Sequence, residues 1–111
     1  MNIIRLSEQL GAEALEVPDP KAEVLSGYTS DLLSDVVANA PEGSVLITIQ
    51  GHLNTVAVAS LTGIRAILLA HNRDAPGDMK AAARRERIAL LRSPENQYTL
   101  SHRVHRLLVG S

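Results

Sequence analysis

The chain has no cysteine, no phenylalanine and no tryptophan among its 111 residues. Without cysteine there are no disulfides, no thiolate metal centres and no cysteine nucleophile. That composition suits a reducing compartment, and a cytoplasmic location is the expectation. Tyr28 and Tyr98 are the only aromatic residues, and the formal net charge is -1. Single-strand nucleic-acid binders stack bases on aromatic rings above a basic groove, so no nucleic-acid partner is expected. No apolar run approaches the ~20 residues of a membrane span. The opening MNIIRLSEQLG lacks the layout of a secretory signal, so no membrane partner is expected either. Also missing are the glycine-rich phosphate loop, the dinucleotide-binding glycine turn, the serine nucleophile elbow and the zinc-protease histidine pair. No motif calls for a cofactor.

What is present is aliphatic. Hydrophobic residues make up 45% of the chain, so Val, Ile, Leu and Ala must fill a core of the size one domain can bury. Residues 1–111 read as a single domain, with no internal repeat and no low-complexity tract.

Ile3, Leu6 and Leu10 have helical spacing, with Asn2 placed to cap the start and Gly11 the end. EALEV (13–17) and EVLSGY (23–28) are strand candidates. Thr29 or Ser30 then offers a cap to a helix whose Leu32, Leu33, Val36 and Val37 form one apolar stripe. VLITI (45–49) and RAILLA (65–70) show no alternation, which predicts strands buried on both faces. Small residues over 53–62 predict a helix that can lie close to a sheet. A helix over 78–86, the strand IALL (88–91) and a last helix carrying Leu100, Val104, Leu107 and Leu108 follow. Ser93-Pro94 reads as the start of that last helix. Alternating strands and helices predict an α/β fold, a mostly parallel β-sheet with helices on both faces.

In such sheets ligands bind outside the carboxyl ends of the strands, against helix N-termini. This rule selects the segments 28–31, 50–54, 71–73 and 92–93. The candidate ligand-binding residues are Ser30, Asp31, Thr48, Gln50, His52, Asn54, His71 and Arg73. Each has a plainer reading. Asn54, or His52 less well, can simply cap the following helix. Asp31 and Asp35 stand four apart, which suits a cation or an acid/base pair, though a solvated face is the favoured reading. His102 and His105 lie one helical turn apart with no third ligand in view, so no metal site is expected. Lys80, Arg84, Arg85 and Arg87 form a basic face that needs only water. Asp31 with His52 as general acid and base would make a small hydrolase, the main rival to a binding role. A pure assembly scaffold without a pocket is a third possibility.

The run GYTSDLLSDVVANAPEGSVLITIQGHLNTVAVASLTGIRAILLA (27–70), with Pro76, the strand 88–91 and the terminal amphipathic helix, resembles the DRTGG domain. Its most specific parts are DLLSDV (31–36) and ITIQGHLNTVAVAS (47–60). Members of that family stand alone or serve as regulatory domains of phosphotransacetylases and of pyrophosphatases with CBS domains. They are also similar to the N-terminal domain of the HPr kinase/phosphorylase. The resemblance implies a three-layer α/β/α regulatory or ligand-sensing domain that is not a catalyst. It also implies a homodimer, with a small anionic or nucleotide-like ligand or a protein partner. The chain departs from the family at both namesake positions. Gly51-His52 stands where members carry Asp-Arg, Asn54 falls on a frequent Asp, and Ala70-His71-Asn72 replaces the Thr-Gly-Gly turn.

Overall fold

A computed structural model describes residues 1–110. Its elements are α1 (Ile3–Leu10), β1 (Glu13–Glu16), β2 (Ser26–Thr29), α2 (Leu33–Asn39), β3 (Ser44–Thr48), α3 (Leu53–Thr62), β4 (Ala66–Leu69), α4 (Gly77–Arg85), β5 (Ala89–Arg92) and α5 (Gln97–Val109). The sheet has the order β1-β5-β4-β3-β2. Strands β2 to β5 run parallel, and β1 joins β5 antiparallel. The expected α/β architecture is the observed one.

Because β2 to β5 lie side by side in chain order, right-handed crossovers send α2, α3 and α4 to one face. The other face is covered by α1 and α5. The side chains of β3 and β4 divide accordingly. Val45, Ile47, Ala66 and Leu68 pack under α1 and α5, while Leu46, Ile67 and Leu69 pack under α2, α3 and α4. Every residue of both strands is buried, which is why their sequences show no polar alternation. Among the described residues no helix is long and apolar enough to cross a membrane.

The first helix is capped as its sequence predicts. Asn2 accepts a hydrogen bond from the Arg5 amide at 2.9 Å, and Gly11 closes the helix with φ of 63°. Two other helix starts differ from expectation. Neither Thr29 nor Ser30 caps α2, which begins at Leu33 without a side-chain cap. Thr29 instead ends β2, its hydroxyl 2.6 Å from that of Ser101. Ser93-Pro94 does not begin α5. Ser93 continues the sheet ladder to Leu69 and accepts the Glu95 amide in a tight turn. Asn96 is the cap, accepting from Thr99 at 2.9 Å. The apolar stripe expected on α2 is only partly used, because only Val36 is fully buried while Leu32 remains 65% exposed.

Helix α5 runs back along β2. At its middle, a Cβ added to Gly27 would lie 3.3 Å from Val104 Cγ1, so the missing side chain lets helix and strand approach.

Candidate functional site

The carboxyl ends of β2, β3, β4 and β5 carry four loops, and their polar groups converge on Asp31. Its Oδ1 accepts three hydrogen bonds, from Thr48 Oγ1 at 3.0 Å, the Ile49 amide at 2.9 Å and Gln97 Nε2 at 2.9 Å. Gln50 Nε2 donates to the Asp31 backbone oxygen at 2.8 Å. One residue thus ties the β2–α2 loop to the end of β3 and to the first turn of α5. All three side-chain bonds fall on one oxygen, and Oδ2 takes none of them. Burial pushes the Asp31 carboxyl up. The Ile49, Gln97 and Thr48 hydrogen bonds and the charge of Arg73 outweigh it, so its pKa lies below the ordinary carboxylate value. Asp31 is therefore a fixed, ionised acceptor.

Thr48 is fully buried at the end of β3, and its hydroxyl also accepts the Gln50 amide at 3.1 Å. The loop after it is closed by Thr55, which donates to the Gln50 carbonyl at 2.8 Å. Gly51 is required here by close approach. A Cβ at this position would stand 2.3 Å from the carbonyl oxygen of Asp74, in the next loop. The β3–α3 and β4–α4 loops are pressed together backbone to backbone.

Arg73 is held by a turn of unusual composition. His71 and Asn72 have φ of 57° and 53°, and the Arg73 amide donates to Ala70 O at 3.1 Å. This is the geometry of a type I′ turn, which glycine fills most easily. Two non-glycine residues in it cost about 1–2 kcal/mol each. The turn is anchored to the β5–α5 loop, with the His71 amide on Glu95 O at 3.0 Å and the Asn72 amide on Ser93 O at 2.9 Å. These are the positions where the resemblance places consecutive glycines, so the backbone shape gives a physical reason for that alignment.

The candidate residues therefore separate. Asp31, Thr48 and Gln50 form one hydrogen-bonded cluster, with Arg73 close enough for its charge to act on Asp31. Ser30 sits beside it and accepts the Leu32 amide at 3.2 Å. The exposed His71 contributes its backbone to the turn that carries Arg73. His52 and Asn54 lie elsewhere, lining a shallow depression of about 320 Å³ with Leu53, Pro76 and Asp78. Neither caps α3 with its side chain, contrary to expectation: His52 is the N-cap residue without a side-chain bond, and Asn54 falls inside the first turn. No hydrogen bond joins His52 to Asp31, whose bonded oxygen already has its three donors. Asp31 and Asp35 do not share a helix face either. Asp31 precedes α2, and Asp35 pairs with Tyr28 at 2.8 Å and Asn39 at 2.9 Å. His102 and His105 are exposed on α5.

Gln97 is the residue that the sequence reading missed. Only its place in the first turn of the helix after β5 could have flagged it. An apolar groove of about 310 Å³ between β2 and α5 offers no formal charge except what His105 can carry. The candidate site is therefore placed by chemistry, at the Asp31 cluster.

Neither a protein-family profile nor any curated protein sequence matches the chain. A solved structure does. It is the crystal structure of the CBS and DRTGG domains of the regulatory region of Clostridium perfringens pyrophosphatase, complexed with the activator diadenosine tetraphosphate. The two superpose with a TM-score of 0.74 at 13% sequence identity, over 93% of this chain and 45% of that one. The chain thus spans less than half of its neighbour and has a DRTGG-like fold.

Proposed function

We propose that this chain is one non-catalytic regulatory module that senses a small anionic or nucleotide-like ligand at the carboxyl edge of its sheet, in the cytoplasm and as a homodimer. The observation that carries this reading is the hydrogen-bonded Asp31 cluster, with Arg73 on the neighbouring loop. Asp31 is a carboxylate held ionised, with one oxygen left for a ligand, and Arg73 places a guanidinium within electrostatic reach. A carboxylate accepts from ribose-type hydroxyls, and arginine matches phosphate with its planar fork. The likeness to a regulatory region solved with a dinucleotide activator supports the same ligand class. Thr48, Gln50 and Gln97 hold the acceptor, and Ser30, His71, His52 and Asn54 lie on the loops around it.

The hydrolase reading has less support, because its His52 and Asp31 are not assembled into a pair. A scaffold would use the Asp31 cluster only to hold the loops together, and leaves its second carboxylate oxygen and the nearby Arg73 charge without a role.

A thermal-shift screen of nucleotides and phosphorylated metabolites tests the reading. A true ligand at 100 times its dissociation constant adds about 2.7 kcal/mol of stability. The shift should disappear in Arg73→Ala and in Asp31→Asn. A flat screen, or a shift that survives both substitutions, would overturn it.

A further inference from the structure

We infer that the free edge of β2 pairs antiparallel with the β2 edge of a second copy, giving one continuous sheet through the dimer. This assigns a surface to the homodimer proposed above and rests on that reading, but not on the ligand. β2 has a neighbour on one side only. Ahead of β2 the Leu25 amide donates to Gly43 O at 2.9 Å, and just past its end the Ser30 amide donates in register to Ile47 O at 3.2 Å. Thr48 O accepts from Ala70 on the β4 side, so Ile47 faces β2. By the alternation of a strand Ser26 and Tyr28, like Ser30, turn their backbone groups toward β3, and Gly27 and Thr29 turn theirs outward. Outside the β2–β3 ladder, no backbone hydrogen bond reaches the Gly27 or Thr29 amides among the described residues.

Open edges are ordinarily blunted by charge, proline or a bulge. The opposite edge of this sheet is treated in that way. β1 carries Glu13 and Glu16, each ion-paired, and a register shift between Ala14 and Glu16. The segment LSGYTS (25–30) has no charge and no proline, and the β2–β3 register is unbroken.

The occupant follows from the two-fold axis. In a self-contact, a charged residue near the axis meets a like charge, so a neutral edge suits a second copy. With Gly27 opposite Gly27, the two Gly27 residues exchange both backbone hydrogen bonds, and the Thr29 amide of each copy meets the Leu25 carbonyl of the other. Leu25 then lies opposite Thr29 on the α5 side, beside the apolar groove of about 310 Å³ lined by Ile47, Val104, Leu108 and Val109. That contact covers Leu25, which is otherwise 70% exposed.

The test combines sedimentation equilibrium with residue-resolved amide hydrogen exchange on the full chain. The expected result is a dimer in which the Gly27 and Thr29 amides are protected. Leu25→Lys should weaken self-association by more than about tenfold and remove that protection. Leu61→Lys is the control for an equally exposed apolar residue on α3, 74% exposed, and should leave both unchanged. A dimer whose Gly27 and Thr29 amides exchange freely would overturn this surface while leaving the dimer reading standing. A monomer at every concentration would overturn both, and would leave the ligand screen unaffected. Protection of the two amides in a monomer would equally sink the proposal.

Discussion

β1 enters the sheet antiparallel, with Glu13 held by Arg92 and Glu16 held by Arg84. β2 enters parallel and uncharged, and Asp31 just beyond its end collects donors from β3 and α5. The two edge strands are thus attached by different physics. Ion pairs with an exposed partner, such as Arg84 at 65%, are screened by water and cost side-chain entropy. A carboxylate that is partly withdrawn from water and accepts an amide, a hydroxyl and a carboxamide is fixed in direction as well as in charge. The comparison teaches that charge on β1 keeps neighbours away, while charge next to β2 sets a position.

The largest expected effect comes from breaking the β2 side. Asp31→Ala leaves the Thr48 hydroxyl, the Ile49 amide and Gln97 without their shared acceptor. A loss of about 3 kcal/mol in denaturant unfolding follows from stranding several donors of one charged group. Asp31→Asn should cost much less, since all three bonds fall on one oxygen that an asparagine can supply. The two variants also separate in pH. A folded pKa below the ordinary 3.8 means that the stabilisation is complete above that value. It is lost as pH falls from there through the lower folded value. Asp31→Asn should flatten part of this acid limb, with Asp35 and Glu16, also lowered, supplying the rest. An unchanged limb would show that Asp31 is not the hub.

Between the two edges lies the contact of Gly51 with Asp74. Gly51→Ala forces a Cβ to within 2.3 Å of a backbone oxygen that cannot swing away. Overpacking of this kind costs about 2 kcal/mol. Gly77→Ala, where a Cβ meets nothing within 4 Å, is the matched control and should be nearly neutral or stabilising. Equal costs at the two positions would mean that the loops are not locked together.

The strands were legible because burial on both faces leaves an unbroken aliphatic run, as in Val45–Thr48 and Ala66–Leu69. The end caps of α1 were legible because Asn2 and Gly11 act within a few residues. Asp31 was placed on the correct sheet edge by the strand-to-helix rule alone. Its partner Gln97, 66 residues away, was not, because nothing local distinguishes a first-turn glutamine that reaches across the sheet from one that faces water. The starts of α2 and α5 were misjudged for a related reason. Thr29, Ser30 and Ser93 had cap chemistry, but a tertiary contact claimed the Thr29 hydroxyl, and those of Ser30 and Ser93 closed local turns instead.

The smallest expected effect is on the β1 side, and it decides whether the contrast is real. Arg84 donates to Glu16 Oε1 at 2.8 Å, and that hydrogen bond lowers the Glu16 pKa, yet the arginine itself is largely in water. Arg84→Ala should therefore cost no more than about 0.5 kcal/mol, with the difference fading at high salt. Replacing Glu13 and Glu16 together with threonine should likewise change unfolding little. It should instead promote association through β1, seen as a concentration-dependent rise in sedimenting mass, because the edge has lost its charges and keeps only its bulge. If the double variant unfolds more than about 1 kcal/mol more easily and stays unassociated, the β1 charges fasten the strand rather than shield it. The neutrality of β2 would then no longer single that edge out as one meant for a partner.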